Sequence, residues 1–269
     1  MSSGEPFVLT LWTADPGLAR AADVAGVDRI GVDLERLGKL ERQAARGTWI
    51  STHREEDLDA LAPALSRARL FARVNPLNPD SEREIEAVLG RGAQVLMLPM
   101  FMSAGDAGRF VRLVDSRATV VLLVEHATAL ENLHEIVRVQ GVDEVHIGLN
   151  DLAISLGLRN RWMALADGLL DGAAAIVRQA AIRFGLGGIG RAGDTSLPIP
   201  ADLIYAEYAR TGATAAVLSR SFFAAGDVDP MVEVARARAT LDAWRRRTPE
   251  DLAAAHAELG RCARRATVW

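Results

Sequence analysis

Two acidic residues, Glu125 and Asp151, each follow an apolar stretch of the chain, TVVLLV in the first case and EVHIGLN in the second. A carboxylate at the edge of a low-dielectric core is costly unless it is paired or binds a cation. Two carboxylates, completed by water and substrate oxygens, suit Mg²⁺ or Mn²⁺, whereas zinc prefers nitrogen and sulfur ligands. We therefore predict that this pair binds a divalent metal ion, with a salt bridge to Arg73 or Arg36 as the alternative.

A second group of ionisable residues follows two other apolar stretches. Asp33 and Glu35 end one of them, and Arg73 ends the other, within ARVNP. The planar guanidinium of Arg73 can donate two parallel hydrogen bonds to a carboxylate. We predict catalytic roles for Asp33, Glu35 and Arg73 and a substrate-binding role for Arg73, which is compatible with its neutralising Asp33 or Glu35.

His53 lies in the segment Ser-Thr-His that starts the predicted helix after the second strand. Its unperturbed pKa suits a general acid or base near neutral pH. We predict that His53 has a catalytic, proton-transferring role, with a structural or exposed histidine as the alternative.

The segment Gly185–Gly190 formally matches G-x-G-x-x-G. It lies far from the first strand–helix unit, where a dinucleotide fingerprint belongs. We interpret it as a closely packed glycine-rich turn at the seventh strand. Phosphate binding beside Arg191 is the alternative interpretation.

The elements that must position these residues alternate regularly along the chain. Eight apolar runs predict buried parallel strands: Phe7–Trp12, Arg29–Glu35, Leu70–Asn75, Val95–Met100, Thr119–Glu125, Glu144–Asn150, Phe184–Gly190 and Ala215–Phe223. Helical patterns lie between them, among them Thr52–Arg67, Ser81–Gly90, Ala127–Val139 and Ala166–Phe184. The pattern predicts an α/β fold, a single (β/α)₈ TIM barrel over residues 1–269, with an open doubly wound sheet as the alternative. Helices at Val228–Arg247 and Pro249–Arg265 form a predicted C-terminal extension over 228–269, which would cap the barrel or reach a neighbouring subunit.

The composition excludes several classes of protein. The 269 residues carry a net charge of −4 and show no clustered basic excess of the kind that nucleic-acid binding requires. A single cysteine, Cys262, excludes an internal disulfide. The sequence has neither an export signal nor an apolar run of about 18 residues, so we expect a cytoplasmic protein without membrane contact.

One long stretch of the chain resembles a known family. VVLLVEHATALENLHEIVRVQGVDEVHIGLNDLAISLG, residues 120–157, is similar to the HpcH/HpaI aldolase and citrate lyase β-subunit superfamily. The shared pattern is a strand-ending Glu, a helix ending in GvD, and a G..DL..slG turn that carries an Asp. Residues 25–35, 72–76 and 92–107 resemble other strands of the family, so the resemblance covers most of residues 7–157.

The resemblance implies a class II, metal-dependent pyruvate aldolase-like enzyme. It implies that Glu125 and Asp151 bind the metal and that Arg73 stabilises the oxygen of a pyruvate-type enolate. It also implies that backbone amides of the turn around Leu149 to Asp151, which includes Asn150, hold the substrate carboxylate. The expected partners are a small 2-oxo acid and an aldehyde, and the expected assembly is a homo-oligomer.

The chain departs from the family at two positions. Arg36 stands where the family has a histidine, and Leu123 stands where it often has glutamine. We hypothesise that His53 takes over proton transfer, and we include Arg36 among the substrate-binding residues.

Three functions follow from these observations. The leading one is a carbon–carbon lyase or aldolase that works through the enolate of a 2-oxo acid. The second is an acyl-CoA lyase or a phosphoenolpyruvate-processing enzyme on the same metal–enolate platform. The third is a non-catalytic binding or assembly barrel.

Overall fold

Eight parallel strands close into a barrel in chain order, as the sequence predicts. The computed structural model describes residues 6–39, 41, 51–223 and 228–267. Its strands are β1 Val8–Trp12, β2 Arg29–Asp33, β3 Arg69–Arg73, β4 Val95–Leu98, β5 Thr119–Val124, β6 Glu144–Ile147, β7 Arg183–Ile189 and β8 Ala215–Leu218. Most predicted strands are longer at their C-terminal ends than the observed ones. The additional residues follow the last hydrogen-bonded pair of each strand and lie at the mouth of the barrel.

The barrel interior is filled by side chains below the mouth. Phe71, Val95, Met97, Val121 and Leu123 form a buried apolar cluster separate from the main core. Trp12 packs on this cluster and stacks on Phe71, with ring centroids 6.5 Å apart. The bottom of the cavity at the barrel mouth is therefore apolar, as expected of a barrel whose interior is filled by side chains.

The helices surround the barrel. In the described ranges they are Pro16–Ala25, Asp57–Leu61, Ser81–Gly90, Ala104–Val114, Ala127–Glu131, Leu133–Ile136, Leu149–Ser155, Met163–Ala166, Leu169–Gln179, Ala201–Thr211, Pro230–Arg245 and Pro249–Arg265, with short 3₁₀ turns at Ala62–Ala64 and Arg220–Phe222. None of them is long and apolar enough to cross a membrane.

The predicted helix Thr52–Arg67 is wrong over most of its length. Residues 51–54 are not helical, and the α-helix covers only Asp57–Leu61 before a 3₁₀ turn that contains Pro63. Proline cannot donate to the helical ladder, and the amides of Ser66 and Arg67 instead donate to the Asp23 carboxylate, each at 3.0 Å. The predicted helix Ala127–Val139 is also divided, into two short helices that meet at Asn132.

The glycine-rich segment is not a turn after the seventh strand, since most of it lies within β7. A side chain at Gly185 would come within 2.1 Å of the His146 ring, and one at Gly187 would come within 2.7 Å of Leu149. Close packing therefore explains these glycines.

Both C-terminal helices pack on the barrel of their own chain. Pro230–Arg245 contacts Pro16–Ala25 and Ala201–Thr211, so it occupies the position of the eighth barrel helix. Pro249–Arg265 packs on Ala201–Thr211 and Met163–Ala166. The segment that the sequence predicted as an extension thus completes the helical layer and covers its outside.

Candidate active site

A cavity of about 360 Å³ opens at the carboxyl ends of the strands. Most of the predicted site residues line it: Asp33, His53, Arg73, Glu125, Leu149, Asn150 and Asp151. They come from the ends of β2, β3, β5 and β6 or from the segments that follow. This is the face on which barrels of this kind carry their active sites.

Glu125 and Asp151 are both buried in the cavity wall, with 3% and 6% of their surfaces exposed. The Met100 amide donates to Glu125 Oε1 at 3.2 Å, and Met100 adopts a left-handed φ of 51°. Such backbone conformations are costly for non-glycine residues and tend to persist at functional sites. The loop after β4 therefore helps to fix the Glu125 carboxylate.

Gly148 makes room for the same carboxylate. A Cβ atom at this position would lie 2.8 Å from Glu125 Oε2, closer than side chains normally approach. Gly148 is followed directly by the helix Leu149–Ser155, which carries Asp151 in its first turn. The strand–helix junction after β6 thus brings the second carboxylate to the cavity that Glu125 lines.

The donor set fits a hard divalent cation. Over the described residues, no cluster of three or more histidine, cysteine or acidic side chains is arranged to hold a metal ion. Two carboxylates would leave most ligand positions to water and substrate oxygens, which is usual for Mg²⁺. Arg73 and Arg36 direct their hydrogen bonds to other groups, so the predicted alternative, a salt bridge from either of them to Glu125 or Asp151, is not observed.

Arg73 is held by two carboxylates, one at the end of β2 and one in the segment that follows it. Its Nε and Nη2 atoms donate to the two oxygens of Asp33, each at 2.8 Å, and Nη2 also lies 3.1 Å from Glu35 Oε2. The guanidinium carbon lies 4.3 Å from the centre of the Trp12 ring. Burial lowers the pKa of Arg73, but the charges of Asp33 and Glu35 outweigh this and raise it. Arg73 is therefore a fixed cation.

Lys39 completes this network, which the sequence analysis missed. Its ammonium lies 3.3 Å from Asp33 Oδ2 and 3.0 Å from Glu35 Oε2. Burial raises the pKa of Asp33, but Arg73 and Lys39 together lower it to about 2. The spacing of Glu35 and Lys39 by four residues was the one available signal.

Glu35 and Arg36 do not line the cavity. Glu35 is fully buried behind Arg73, where it orients the guanidinium. Arg36 is exposed, its amide donates to Asn75 Oδ1 at 2.8 Å, and its guanidinium donates to the His53 carbonyl. The structure thus places Arg36 outside the predicted substrate-binding group, because its side chain turns toward the segment that carries His53.

His53 lines the cavity, and its ring is anchored on β2. Its Nδ1 atom accepts a hydrogen bond from the Asp33 amide at 3.1 Å. Burial lowers the pKa of His53, and the charge of Asp33 offsets this only in part. The ring is therefore neutral near pH 7, with its proton on Nε2.

Two arginines in the cavity wall, Arg161 and Arg220, also escaped the sequence analysis. Arg161 follows the helix Leu149–Ser155, and Arg220 lies in the 3₁₀ turn directly after β8. Neither belongs to a sequence pattern that would identify it. Arg191, which the phosphate hypothesis invoked, does not line the cavity.

The comparisons with known proteins agree with this architecture. Residues 7–185 match the HpcH/HpaI aldolase/citrate lyase family. A stretch of 91 residues is 34% identical to the 2-keto-3-deoxy-L-rhamnonate aldolase of Shigella sonnei (strain Ss046), a match that spans 34% of this chain and 31% of that protein.

Solved structures share the fold at low sequence identity. A HpcH/HpaI aldolase/citrate lyase family protein from Burkholderia cenocepacia J2315 has a TM-score of 0.62 and 20% identity, over 81% of this chain and 89% of that one. The protein CitE from Mycobacterium tuberculosis, in complex with magnesium and pyruvate, has a TM-score of 0.61 and 18% identity, over 95% and 97%. The family match covers well over half of the chain, and both solved structures share its fold. The chain therefore belongs to the HpcH/HpaI aldolase/citrate lyase family, which confirms the family predicted from its sequence.

Proposed function

We propose that this protein is a divalent-metal-dependent lyase or aldolase that makes or breaks a carbon–carbon bond through the pyruvate-type enolate of a 2-oxo acid. One observation carries the proposal: a single cavity brings the buried carboxylates of Glu125 and Asp151 together with the fixed guanidinium of Arg73. A divalent ion such as Mg²⁺ or Mn²⁺, bound by the two carboxylates, would supply Lewis acidity that polarises the 2-oxo group.

Arg73 is the group that meets the developing negative charge. Nε and Nη2 are directed to Asp33 and Glu35, whereas Nη1 makes no hydrogen bond to a described residue. Nη1 can therefore donate to the oxygen that gains charge as the carbon–carbon bond breaks. Because Asp33 and Glu35 already hold the side chain, this donor does not have to reorganise during the reaction.

The start of the helix Leu149–Ser155 suits the substrate carboxylate. The first amides of a helix have no acceptor within the helix and favour negative charge. Leu149 and Asn150 line the cavity beside Asp151. We propose that Leu149 and Asn150 bind the carboxylate of the 2-oxo acid. In this orientation the 2-oxo group is directed toward Arg73.

We propose that His53 binds the second substrate, the aldehyde. With Nδ1 occupied by the Asp33 amide, the neutral ring presents an Nε2–H donor. In the cleavage direction the substrate hydroxyl gives its proton to water, the carbon–carbon bond breaks, and the aldehyde departs. The electron pair of the broken bond forms the enolate, which then takes up a proton from water to give the 2-oxo acid. His53 would bind the oxygen that becomes the aldehyde, and it would accept a proton only by giving up its bond from Asp33.

The relatives support the substrate class. The Shigella sonnei protein is named for its action on 2-keto-3-deoxy-L-rhamnonate, a 2-oxo acid, and the Mycobacterium tuberculosis protein holds magnesium and pyruvate. An aldehyde as the second partner, a homo-oligomeric assembly and a cytoplasmic location remain proposals that rest on the sequence. The phosphoenolpyruvate alternative loses support because Arg191 lies outside the cavity.

Two measurements test the proposal without knowledge of the aldehyde. Mn²⁺ binding is followed by electron paramagnetic resonance, and oxaloacetate decarboxylation, which yields the same enolate, is followed by release of pyruvate. We expect Glu125→Gln and Asp151→Asn each to weaken Mn²⁺ binding by roughly 100-fold and to abolish decarboxylation. The matched control is Glu86→Gln, at an exposed helix position. Full decarboxylation by either cavity variant would refute the proposal.

A further inference from the structure

His146 is a buried polar residue that the proposed chemistry does not use. It lies within β6, is 3% exposed and lines the bottom of the cavity beside the apolar Leu123, its register partner on β5. Burial of an imidazole is costly unless its ring nitrogens find partners. The partners of His146 therefore indicate what this side chain does.

The first partner is a backbone carbonyl of β7. Nε2 of His146 lies 3.1 Å from the carbonyl oxygen of Gly187, and because a carbonyl oxygen only accepts, Nε2 carries the proton. The pairing of β7 with β8 shifts its register between Gly185 and Gly188, and Gly187 has a left-handed φ of 47°. An irregularity of this kind bends a strand and changes the direction of its backbone groups. The hydrogen bond from His146 therefore fixes the irregular part of β7.

The second partner is a carboxylate deeper in the barrel. Nδ1 of His146 lies 3.7 Å from Glu144 Oε1, and Oε2 of the same carboxylate lies 2.8 Å from Nη2 of Arg29 on β2. Burial raises the pKa of Glu144, but His146 and Arg29 outweigh this and lower it. Both ring nitrogens of His146 are thus directed to protein groups, so the ring does not present a proton to a substrate.

Two glycines of β7 connect the ring to the start of the helix Leu149–Ser155. Gly185 is the register partner of His146, and a Cβ atom there would lie 2.1 Å from Nδ1, so the ring packs directly on the strand backbone. A Cβ atom at Gly187 would lie 2.7 Å from Cδ1 of Leu149, so Leu149 packs on the same backbone. A continuous set of contacts therefore runs from His146 through Gly187 to the first residue of the helix.

We propose that His146 is a positioning residue for the 2-oxo acid. Its hydrogen bond to Gly187 fixes the backbone on which Leu149 packs, and this sets the position of the amides at the start of the helix Leu149–Ser155. The inference rests on the proposed function for the ligand of these amides, which is the substrate carboxylate. Because His146 acts through Gly187 and transfers no proton, its loss weakens substrate binding and leaves the chemical step nearly unchanged.

The first test compares two substitutions of His146 in oxaloacetate decarboxylation at saturating Mg²⁺. His146→Phe keeps a ring and removes the donor, whereas His146→Gln keeps an N–H donor. We expect His146→Phe to raise KM roughly tenfold while kcat changes by less than about threefold. His146→Gln should restore most of the wild-type KM. His134→Phe, at an exposed helix position, is the matched control and should leave both constants unchanged.

A second test leaves His146 in place and does not depend on turnover. Gly187→Ala adds a Cβ atom that displaces Leu149, whereas Gly193→Ala adds one that meets no atom within 4 Å. Both glycines have a positive φ, 47° and 77°, so both substitutions strain the backbone. In calorimetry at saturating Mg²⁺, we expect Gly187→Ala to raise the Kd of pyruvate roughly tenfold and Gly193→Ala to leave it unchanged.

The outcomes separate this inference from the proposed function. A large fall in kcat with unchanged KM in His146→Phe would show that the imidazole transfers a proton, and equal losses in His146→Phe and His146→Gln would show that its donor is irrelevant. Either result would overturn the positioning role. Wild-type decarboxylation together with an unchanged KM in His146→Phe would refute the positioning role alone. Pyruvate binding that weakens in His146→Phe, in a protein whose wild type shows no decarboxylation, would refute the proposed function alone.

Discussion

Arg73 and Asp33 form a buried, two-pronged ion pair at the mouth of the barrel, with both hydrogen bonds at 2.8 Å. The two residues are register partners at the ends of β2 and β3, so the strand pairing itself sets their approach. The pair fixes the plane of the guanidinium and leaves Nη1 for a ligand. This arrangement converts a long, flexible side chain into a directional donor.

Arg73→Lys should impair the chemical step. Lysine keeps the charge but cannot donate in parallel to Asp33, so the donor toward the substrate is lost. We expect kcat for oxaloacetate decarboxylation to fall by roughly 10²-fold or more, with a smaller change in KM. The exposed pair Arg91–Asp59 provides the control, and Arg91→Lys should leave kcat unchanged. A similar loss in both variants would show that the effect is not specific to the cavity.

The Asp33 carboxylate should make stability depend on acid pH. Its pKa is about 2 in the folded protein against an ordinary 3.8, because Arg73 and Lys39 overcome the effect of burial. The stabilisation is fully present above about pH 5 and is lost as the pH falls toward 2, and it amounts to about 2 kcal/mol. In urea unfolding, the wild type should lose stability more steeply than Asp33→Asn between about pH 4.5 and 3. Parallel pH profiles for the two proteins would contradict this.

His53 should titrate below its ordinary pKa of 6.5, since burial disfavours its charged form. Protonation of Nδ1 would also remove the acceptor for the Asp33 amide. The folded pKa is lowered, so the contribution of His53 to stability decreases as the pH falls below about 6.5. The ring resonances in a ¹⁵N NMR titration, assigned with His53→Gln, report the pKa directly. A midpoint above 6.5 would mean that Asp33 outweighs burial.

Gly148→Ala should weaken the metal site with little effect on the rest of the fold. The added Cβ would lie 2.8 Å from both Cβ and Oε2 of Glu125 and would displace the carboxylate. We expect Mn²⁺ affinity to fall by roughly tenfold or more in the paramagnetic resonance titration. Gly172→Ala is the control, because its Cβ meets no atom within 4 Å and lies in a helix, where alanine adds about 0.5–1 kcal/mol of stability. Unchanged Mn²⁺ affinity in Gly148→Ala would show that Glu125 is not a metal ligand.

The barrel could be predicted from sequence because strands buried on both faces produce apolar runs, such as that of Thr119–Val124. The side chains at the carboxyl ends of parallel strands meet at one mouth of a barrel, which is why Asp33, Arg73, Glu125 and Asp151 lie together. Glu35 is an exception, because it follows β2 but turns behind Arg73. The helical pattern of Thr52–Arg67 was misleading because Pro63 interrupts the helix. Arg161 and Arg220 lie in segments without periodicity, so only the closure of the barrel brings them to one cavity.

Exchange of the pyruvate methyl protons with D₂O, followed by NMR, is the sharpest test of the metal–enolate chemistry, because it requires the enolate and no second substrate. We expect exchange that depends on added Mg²⁺ or Mn²⁺ and is lost in Glu125→Gln and Asp151→Asn. Exchange should persist in Arg112→Gln, a control at an exposed position of the helix Ala104–Val114. Equal exchange by the wild type and Glu125→Gln, or no exchange by the wild type with either metal, would rule out a metal-bound enolate at Glu125 and Asp151.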